Sequence, residues 1–180
     1  MSRVVFVDRD GVINVDLIGD YVKSWDEFRF EEGAMDAMKI LTDAHYDIVV
    51  VSNQAGIGDG VFEEEALWDV HQKMLAEFEK HKVKIKSSFY CLHGKNAGCK
   101  CRKPETGLFE RAAREIDFNP SETFFIGDKA TDIEAGKRFG LKTIFVRTGH
   151  GAAEEPKLQG DLVPDHIVNN LAEAAELLRR

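Results

Sequence analysis

Three aspartates occupy positions at which neighbouring carboxylates would share a cation. Asp8 and Asp10 follow the apolar run of residues 4–7, and Asp128 follows a second apolar run, residues 123–126. Two like charges this close together are costly unless a cation neutralises them. Carboxylate oxygens on a rigid sheet edge suit Mg²⁺, which also binds substrate phosphate. The spacing therefore predicts a magnesium site, since separate acidic surface turns would not place every aspartate at a strand end.

A second group of metal-binding residue types lies between positions 91 and 101. Cys91 and His93 form one close pair, and Cys99 and Cys101 form another. Thiolate and imidazole ligands in this number favour a closed tetrahedral Zn²⁺ site. A closed site leaves no open position, so we expect a structural zinc in a zinc-binding loop at 91–101. The alternative is that the cysteines are small buried hydrophobes and His93 is a surface residue.

Short apolar runs alternate with helical patterns and must position these residues. The strand-like runs are residues 4–7, 48–51, 88–92, 123–126, 143–146 and 166–168, and the helical patterns cover residues 33–42, 67–78, 108–116, 131–139 and 171–178. This alternation predicts an α/β fold, a Rossmann-like three-layer α/β/α sandwich with a central parallel sheet. Residues 149–164 are predicted to form a surface loop. A length of 180 residues suits one domain over 1–180.

The predicted topology brings four polar segments to one edge, because ligands of open α/β sheets bind beyond the carboxyl ends of the strands. These segments are Asp8-Arg9-Asp10, Ser52-Asn53-Gln54, the Cys/His/Arg/Lys segment after the third strand, and Gly127-Asp128-Lys129. We expect them to converge on one site. The other histidines, among them His71 and His150, show no ligand spacing and are interpreted as surface or helix-end residues.

The overall composition limits the classes of partner. The net charge of −8 argues against a nucleic-acid or anionic-membrane binder. No apolar stretch approaches the roughly 20 residues that span a bilayer. Three clustered cysteines indicate a metal site in a reducing compartment rather than a disulfide framework. With no secretory signal at the N-terminus, we expect a cytoplasmic protein that acts as a monomer.

Motifs spread over essentially the whole chain resemble those of the haloacid dehalogenase superfamily, in the same order. They are Asp8-Arg9-Asp10-Gly11-Val12, Ser52, Lys103, and Gly127-Asp128 with Asp132. The resemblance implies a Mg²⁺-dependent phosphatase in which Asp8 attacks phosphorus and forms an aspartyl-phosphate. It implies that Asp10 protonates the leaving oxygen and later activates water. Ser52 and Lys103 would hold the phosphoryl oxygens.

The resemblance also assigns the metal ligands. Asp128 would complete the Mg²⁺ site with Asp8 and the backbone carbonyl of Asp10. Asp132 has two open interpretations. It orients Lys129 or the waters on the metal, or it is a helix-start carboxylate favoured by the helix dipole.

The pattern Cys-x-His…Cys-x-Cys-Arg-Lys-Pro over residues 91–104 resembles the zinc-loop branch of this superfamily, whose members lack a large cap domain. Residues 9–33 and 53–66 are likewise too short for a cap. The branch implies a small phosphorylated metabolite as substrate, and its loops favour the 7-phosphate of D-glycero-D-manno-heptose 1,7-bisphosphate. Histidinol phosphate or another small phosphoester is the alternative. A phosphate-sensing protein without turnover is the alternative from another class, although no catalytic position is missing.

The same resemblance implies a set of substrate- and phosphate-binding residues. They are Asp16, Gly19, Tyr21, Ser52, Asn53, Gln54, Arg102, Lys103 and Lys129. Arg102 is expected on the distal phosphate of a bisphosphate, because its guanidinium fork matches that anion.

Overall fold

The structure, a computed structural model, describes residues 2–180. Within them the strands are β1 (Val4–Val7), β2 (Asp47–Asn53), β3 (Ile85–Cys91), β4 (Phe124–Gly127), β5 (Lys142–Val146) and β6 (His166–Val168). The helices are α1 (Ala34–Asp43), α2 (Ala55–Gly58), α3 (Glu64–Lys80), α4 (Gly107–Glu115), α5 (Ala130–Phe139), α6 (Gly151–Glu154) and α7 (Leu171–Leu178). Each predicted strand and helix is present, with ends shifted by a few residues.

These strands form one parallel sheet in the order β3-β2-β1-β4-β5-β6. The chain builds one half outward from β1 to β3 and then returns to place β4 on the other side of β1. The strand order therefore reverses between β1 and β4. Such a switch point opens a crevice at the carboxyl ends of the two strands, where ligands of α/β proteins bind.

The core is divided between the two faces of the sheet, because successive strand residues point in opposite directions. In β1, Val5 and Val7 pack with residues of α1, α3 and α7, whereas Val4 and Phe6 pack with residues of α4 and α5. All four side chains are buried. The prediction of a three-layer α/β/α sandwich with a central parallel sheet is confirmed.

The segments that could hold a cap are short in the structure. Residues 8–33 contain a 3₁₀ turn at Trp25–Glu27, and residues 54–63 contain the four-residue α2. The short lengths of these two segments are consistent with the expected absence of a large cap domain. No helix within residues 2–180 is long and apolar enough to cross a membrane.

Two local predictions were wrong. Residues 149–164 are not a plain loop, since they contain α6 and 3₁₀ turns at Glu155–Lys157 and Gly160–Leu162. Ser52 and Asn53 do not follow β2 but are its last residues, because the pairing with β3 continues to the register Asn53↔Cys91.

Candidate active site

Asp8 and Asp128 lie side by side because β1 and β4 are neighbours. The register pairs Val7 with Ile126, and the Asp8 backbone N–H donates to the Ile126 carbonyl at 3.0 Å. Both side chains are buried, at 4% and 0% exposure for Asp8 and Asp128. Residues 120 positions apart in the sequence are thus brought to one point at the switch between the sheet halves.

Lys103 supplies a buried ammonium group between two carboxylates. Its Nζ lies 3.0 Å from Asp8 Oδ1 and 2.7 Å from Asp132 Oδ1, and it donates to the Val51 carbonyl at 3.3 Å. Burial opposes the charged ammonium, but Asp132 and Asp8 outweigh it and raise the pKa of Lys103. The side chain therefore carries a fixed positive charge beside the Asp8 carboxylate.

Asn53 holds the segment that carries Lys103. Its Nδ2 donates to the Lys103 carbonyl at 3.1 Å, and its Oδ1 accepts from the Lys103 backbone N–H at 3.0 Å. These paired bonds fix both backbone polar groups of Lys103 against the end of β2. Asn53 contacts the backbone of the chain here, so its prediction as a phosphate-binding residue is not tested by these contacts.

Burial and like charges raise the pKa of both aspartates at the switch point. Desolvation raises the pKa of Asp8 to about 7, although Lys103 opposes the shift. Desolvation, followed by the charges of Asp132 and Asp8, raises the pKa of Asp128 well above its usual value. A cation among these groups would remove the cost of ionising them.

Gly11 allows the β1 loop to approach Asp128 closely. Its φ of +88° lies in the left-handed region, and a Cβ atom there would stand 2.2 Å from Asp128 Oδ2. The Gly11 carbonyl accepts a hydrogen bond from Thr148 Oγ1 at 2.7 Å. Only glycine fits at this position, and it lets three loops meet around one carboxylate.

Asp132 has a defined role in the structure. Its Oδ2 accepts from the backbone N–H groups of Asp128 and Lys129, at 3.2 and 3.1 Å, at the start of α5. Its Oδ1 pairs with Lys103. The interpretation as a helix-start carboxylate is therefore correct but incomplete, because the same group also fixes the buried ammonium.

The Asp10 carboxylate is bound by three side chains. Arg9 Nη2 donates to both of its carboxylate oxygens, at 2.9 and 3.0 Å. Asn14 Nδ2 and Gln54 Nε2 donate at 2.9 and 2.7 Å. Burial opposes ionisation of Asp10, but the charge of Arg9 and these hydrogen bonds outweigh it and lower its pKa.

Ser52 lies next to this group at the end of β2. Its Oγ accepts from Gln54 Nε2 at 2.9 Å, and its side chain is buried. Gln54 thus connects the hydroxyl to the Asp10 carboxylate.

The carboxylates at the switch point fit Mg²⁺. One oxygen from each of Asp8, Asp128 and Asp132 lies within 4.8 Å of the others. Asp128 Oδ2 accepts from the His150 backbone N–H at 2.7 Å, whereas its buried Oδ1 has no hydrogen-bond partner among the described residues. An orphaned carboxylate oxygen in a dry site is a metal-ligand candidate. Asp132 is already occupied by Lys103 and two backbone N–H groups, so Asp8 and Asp128 are the better ligand candidates.

The four predicted zinc ligands converge. The Cys91–Cys99 and Cys99–Cys101 sulfur atoms are each 3.7 Å apart, and the Cys91–Cys101 sulfur atoms are 3.1 Å apart. His93 Nδ1 lies 3.2 Å from Cys101 Sγ. Tetrahedral zinc with bonds of about 2.3 Å places its sulfur ligands about 3.8 Å apart. Burial raises the pKa of the Cys91 thiol to about 12, so a cation beside it is needed to hold the thiolate. The donor set fits Zn²⁺, and two of the three sulfur–sulfur distances are close to the value for tetrahedral zinc.

Comparison with known proteins identifies the family. A family model described as HAD-hydrolase-like matches residues 100–174. The chain is 35% identical to the D-glycero-beta-D-manno-heptose-1,7-bisphosphate 7-phosphatase of Haemophilus ducreyi, over 93% of this chain and 96% of that protein. The chain belongs to the haloacid dehalogenase-like hydrolases. The prediction of the superfamily and of a phosphoric monoester hydrolase is thereby confirmed.

Two further proteins similar to this haloacid dehalogenase-like hydrolase are also named heptose bisphosphate phosphatases. The D-glycero-D-manno-heptose-1,7-bisphosphate 7-phosphatase of Chlorobaculum tepidum is 36% identical over 96% of this chain and 92% of that protein. A crystal structure of D,D-heptose 1,7-bisphosphate phosphatase from B. bronchiseptica, complexed with magnesium and phosphate, is 32% identical. It matches with a TM-score of 0.92 and covers 98% of this chain and 97% of that one.

His150 was missed by the sequence reasoning. It stands at the start of α6, as a helix-end residue was expected to, but its Nε2 also lies 2.8 Å from Asp16 Oδ2. Lys129 Nζ lies 3.5 Å from the same oxygen. Burial opposes the Lys129 charge, yet Asp128 and Asp8 raise its pKa. The loops after β1, β4 and β5 therefore meet at Asp16, which no spacing rule in the sequence indicates.

The remaining predicted residues lie on the loops around this site. Tyr21 packs on Phe62 with ring centroids 5.7 Å apart, over Gly56, where a Cβ would stand 2.6 Å from Phe62. Gly19 has a φ of +87°. Arg102 is half-buried and precedes Lys103 directly, and its place on a distal phosphate remains a prediction.

Asp59 is a second residue that the sequence reasoning did not place. Its carboxylate accepts from the Lys95 backbone N–H at 3.2 and 3.3 Å. A Cβ at Gly58 would stand 2.1 Å from the Gly94 backbone nitrogen. The end of α2 is thus packed tightly against the zinc-ligand loop.

Proposed function

We propose that this chain removes the 7-phosphate of D-glycero-D-manno-heptose 1,7-bisphosphate, with Asp8 as the nucleophile. The observation that carries the chemistry is the buried Asp8 carboxylate held 3.0 Å from the Lys103 ammonium at the switch point of the sheet. The substrate rests on the full-length similarity to relatives named for that reaction. A preorganised cation next to a nucleophile stabilises the charge that develops on the phosphoryl group.

We assign a separate role in the reaction to each of several residues. Asp8 attacks phosphorus, and Asp10 gives a proton to the oxygen that leaves. Asp10 then takes a proton from the water that attacks the aspartyl-phosphate. Ser52 and Lys103 hold the phosphoryl oxygens, while Asp132 holds Lys103 in place.

We place Mg²⁺ on Asp8, Asp128 and the backbone carbonyl of Asp10. When bound, it neutralises the carboxylates and the charge on the transferred phosphoryl group. We assign substrate contacts to Asp16, Gly19, Tyr21, Asn53, Gln54, Arg102 and Lys129, in keeping with their places at the end of β2 and on the loops beyond the strands. The exposed fraction of the Lys129 side chain, 36%, leaves it accessible to a ligand in the crevice.

We further propose a structural Zn²⁺ held by Cys91, His93, Cys99 and Cys101. A cytoplasmic location follows from the need to keep three thiols reduced. We also propose that the protein acts as a monomer. Elemental analysis of protein purified without chelator, and light scattering of the same sample, test the zinc and the monomer.

The test of function is a steady-state comparison of substrates with Mg²⁺. The α and β anomers of heptose 1,7-bisphosphate, fructose 1,6-bisphosphate and histidinol phosphate should be compared by kcat/KM. Both anomers are needed because the Haemophilus ducreyi relative is named for the β form and the Campylobacter jejuni relative for the α form. A higher kcat/KM for histidinol phosphate would overturn the substrate. Activity of Asp8→Asn at the wild-type level would overturn the nucleophile.

A further inference from the structure

Arg9 is a buried cation that the proposed reaction leaves without a role. Its exposure is 0%, and its Nη2 donates to both oxygens of Asp10. Its Nε adds a third bond to Asp10 Oδ1 at 3.3 Å. Because the guanidinium has no exposed surface, it does not reach a substrate in the crevice. Any effect on the reaction must pass through the residues that it touches.

The Arg9 contacts belong to a set that fixes the Asp10 carboxylate. Oδ1 also accepts from Asn14 Nδ2, and Oδ2 also accepts from Gln54 Nε2. Donors from three residues therefore converge on two oxygens, and they come from the β1 loop and the β2 end. A carboxylate held from several directions has one orientation, whereas a free one would rotate about its side-chain bonds.

Further contacts hold Arg9 itself in place. Its charge interacts with the Tyr90 hydroxyl on β3, and that hydroxyl lies 2.9 Å from His71 Nδ1 on α3. The Arg9 backbone N–H donates to Asp8 Oδ1 at 2.9 Å. Its Nη1 is buried without a hydrogen bond among the described residues, so the ion pair with Asp10 supplies its main compensation. A buried guanidinium of this kind does not leave its carboxylate without a large penalty.

We propose that Arg9 is a positioning residue that fixes the Asp10 carboxyl group for proton transfer to the leaving oxygen. The inference rests on the proposed function. Arg9 and the other donors lower the pKa of Asp10 and make it a stronger acid, so the free carboxylate is ionised and its side chain, 18% exposed, takes up one proton from solvent before the reaction. In the first step the Asp8–phosphorus bond forms, the phosphorus–oxygen bond of the substrate breaks, and this proton moves from Asp10 to the departing oxygen. Arg9 takes no part in bond making and acts through the orientation of Asp10.

The leaving group separates this role from a structural one. A sugar alkoxide needs a proton as it departs, whereas p-nitrophenolate is stable without one. Since kcat/KM covers the steps through the first chemical step, Arg9→Met should lower it for the heptose bisphosphate by about 100-fold or more, the range for general acid catalysis. The value for p-nitrophenyl phosphate should change little. Arg9→Lys keeps the charge and one donor, and should recover part of the lost activity.

A double-mutant cycle with Asp10→Asn gives a second, independent readout. If Arg9 acts only through Asp10, Arg9→Met should cause no further loss of kcat/KM in the Asp10→Asn background. Thermal unfolding and the shift in Tm on adding Mg²⁺ confirm that each variant is folded with an intact metal site. Arg9→Lys supplies the same comparison of leaving groups if Arg9→Met does not fold.

Two results would overturn the inference. One is an equal loss of kcat/KM on both substrates in a folded variant. The other is a full further loss when Arg9→Met is added to Asp10→Asn. Failure of the wild-type enzyme to hydrolyse the heptose bisphosphate is distinguishable, because it would refute the substrate, whereas another alkyl phosphate such as fructose 1,6-bisphosphate, compared with p-nitrophenyl phosphate, still tests Arg9.

Discussion

Replacing Lys103 with methionine removes an ammonium group that lies 3.0 Å from Asp8 and 2.7 Å from Asp132. The side-chain exposures of these three residues are 1%, 6% and 2%, so water cannot take the place of the lost charge. Removing one partner of a buried ion pair costs about 3–5 kcal/mol, because the other charge is left buried and unpaired. At about 2–4 °C per kcal/mol for a chain of this size, Tm should fall by about 6–20 °C.

The control is Lys73→Met on α3. Lys73 pairs with Asp69 at 2.8 Å, but the side chains are 50% and 54% exposed. An exposed pair of this kind on a helix contributes about 0.3–0.5 kcal/mol. Urea unfolding of metal-free protein, followed by circular dichroism, measures both variants on the same scale.

A compensating variant tests whether the unpaired carboxylate is the cause. Lys103→Met with Asp132→Asn removes one buried negative charge along with the ammonium, so it should be more stable than Lys103→Met alone. The reasoning is refuted if Lys103→Met costs no more than Lys73→Met. It is equally refuted if the double variant is no more stable than the single one.

Other expected outcomes concern the metals and the loop contacts. Because burial raises the pKa of Asp8 from 3.8 to about 7, its contribution to the stability of the metal-free protein should be lost as pH rises between these two values. The Tm gain from Mg²⁺ should be larger at pH 8, where Asp8 is ionised, than at pH 6. Cys99→Ser should abolish zinc binding and lower Tm, as atomic absorption and calorimetry can measure. His150→Ala should raise KM more than it lowers kcat, because it frees Asp16 without touching Lys103.

The fold and the proximity of Asp8 and Asp128 could be predicted from the sequence for a physical reason. In a parallel sheet, residues that follow buried strands meet at one edge, so the apolar runs before Asp8 and Asp128 place both carboxylates without further information. The convergence of Cys91, His93, Cys99 and Cys101 could also be predicted, because close cysteine and histidine pairs are typical of metal-binding turns. Both inferences use contacts that are local along the chain or fixed by strand pairing.

Contacts between loops were not accessible in this way. The orientation of Asp10 depends on Gln54, which lies 44 positions away, and the contact of His150 depends on Asp16, 134 positions away. No periodicity or spacing encodes such pairs, because loop conformation follows from turn geometry and packing. The prediction that β2 ends at residue 51 was wrong for the same reason. Pairing with β3, rather than local propensity, carries that strand through Asn53.

Lys103 links the loop that carries the cysteine cluster to Asp8, the proposed nucleophile. Lys103 lies two residues after Cys101 in the sequence. Asn53 fixes the backbone of Lys103 through two hydrogen bonds. On the other side, the end of α2 braces the loop through Asp59. If the cysteine cluster loosened, we would therefore expect the Lys103 ammonium to move away from Asp8 before the sheet itself is disturbed. The proposed Zn²⁺ would take no part in the reaction, yet by holding this loop it would control the position of the ammonium group beside Asp8.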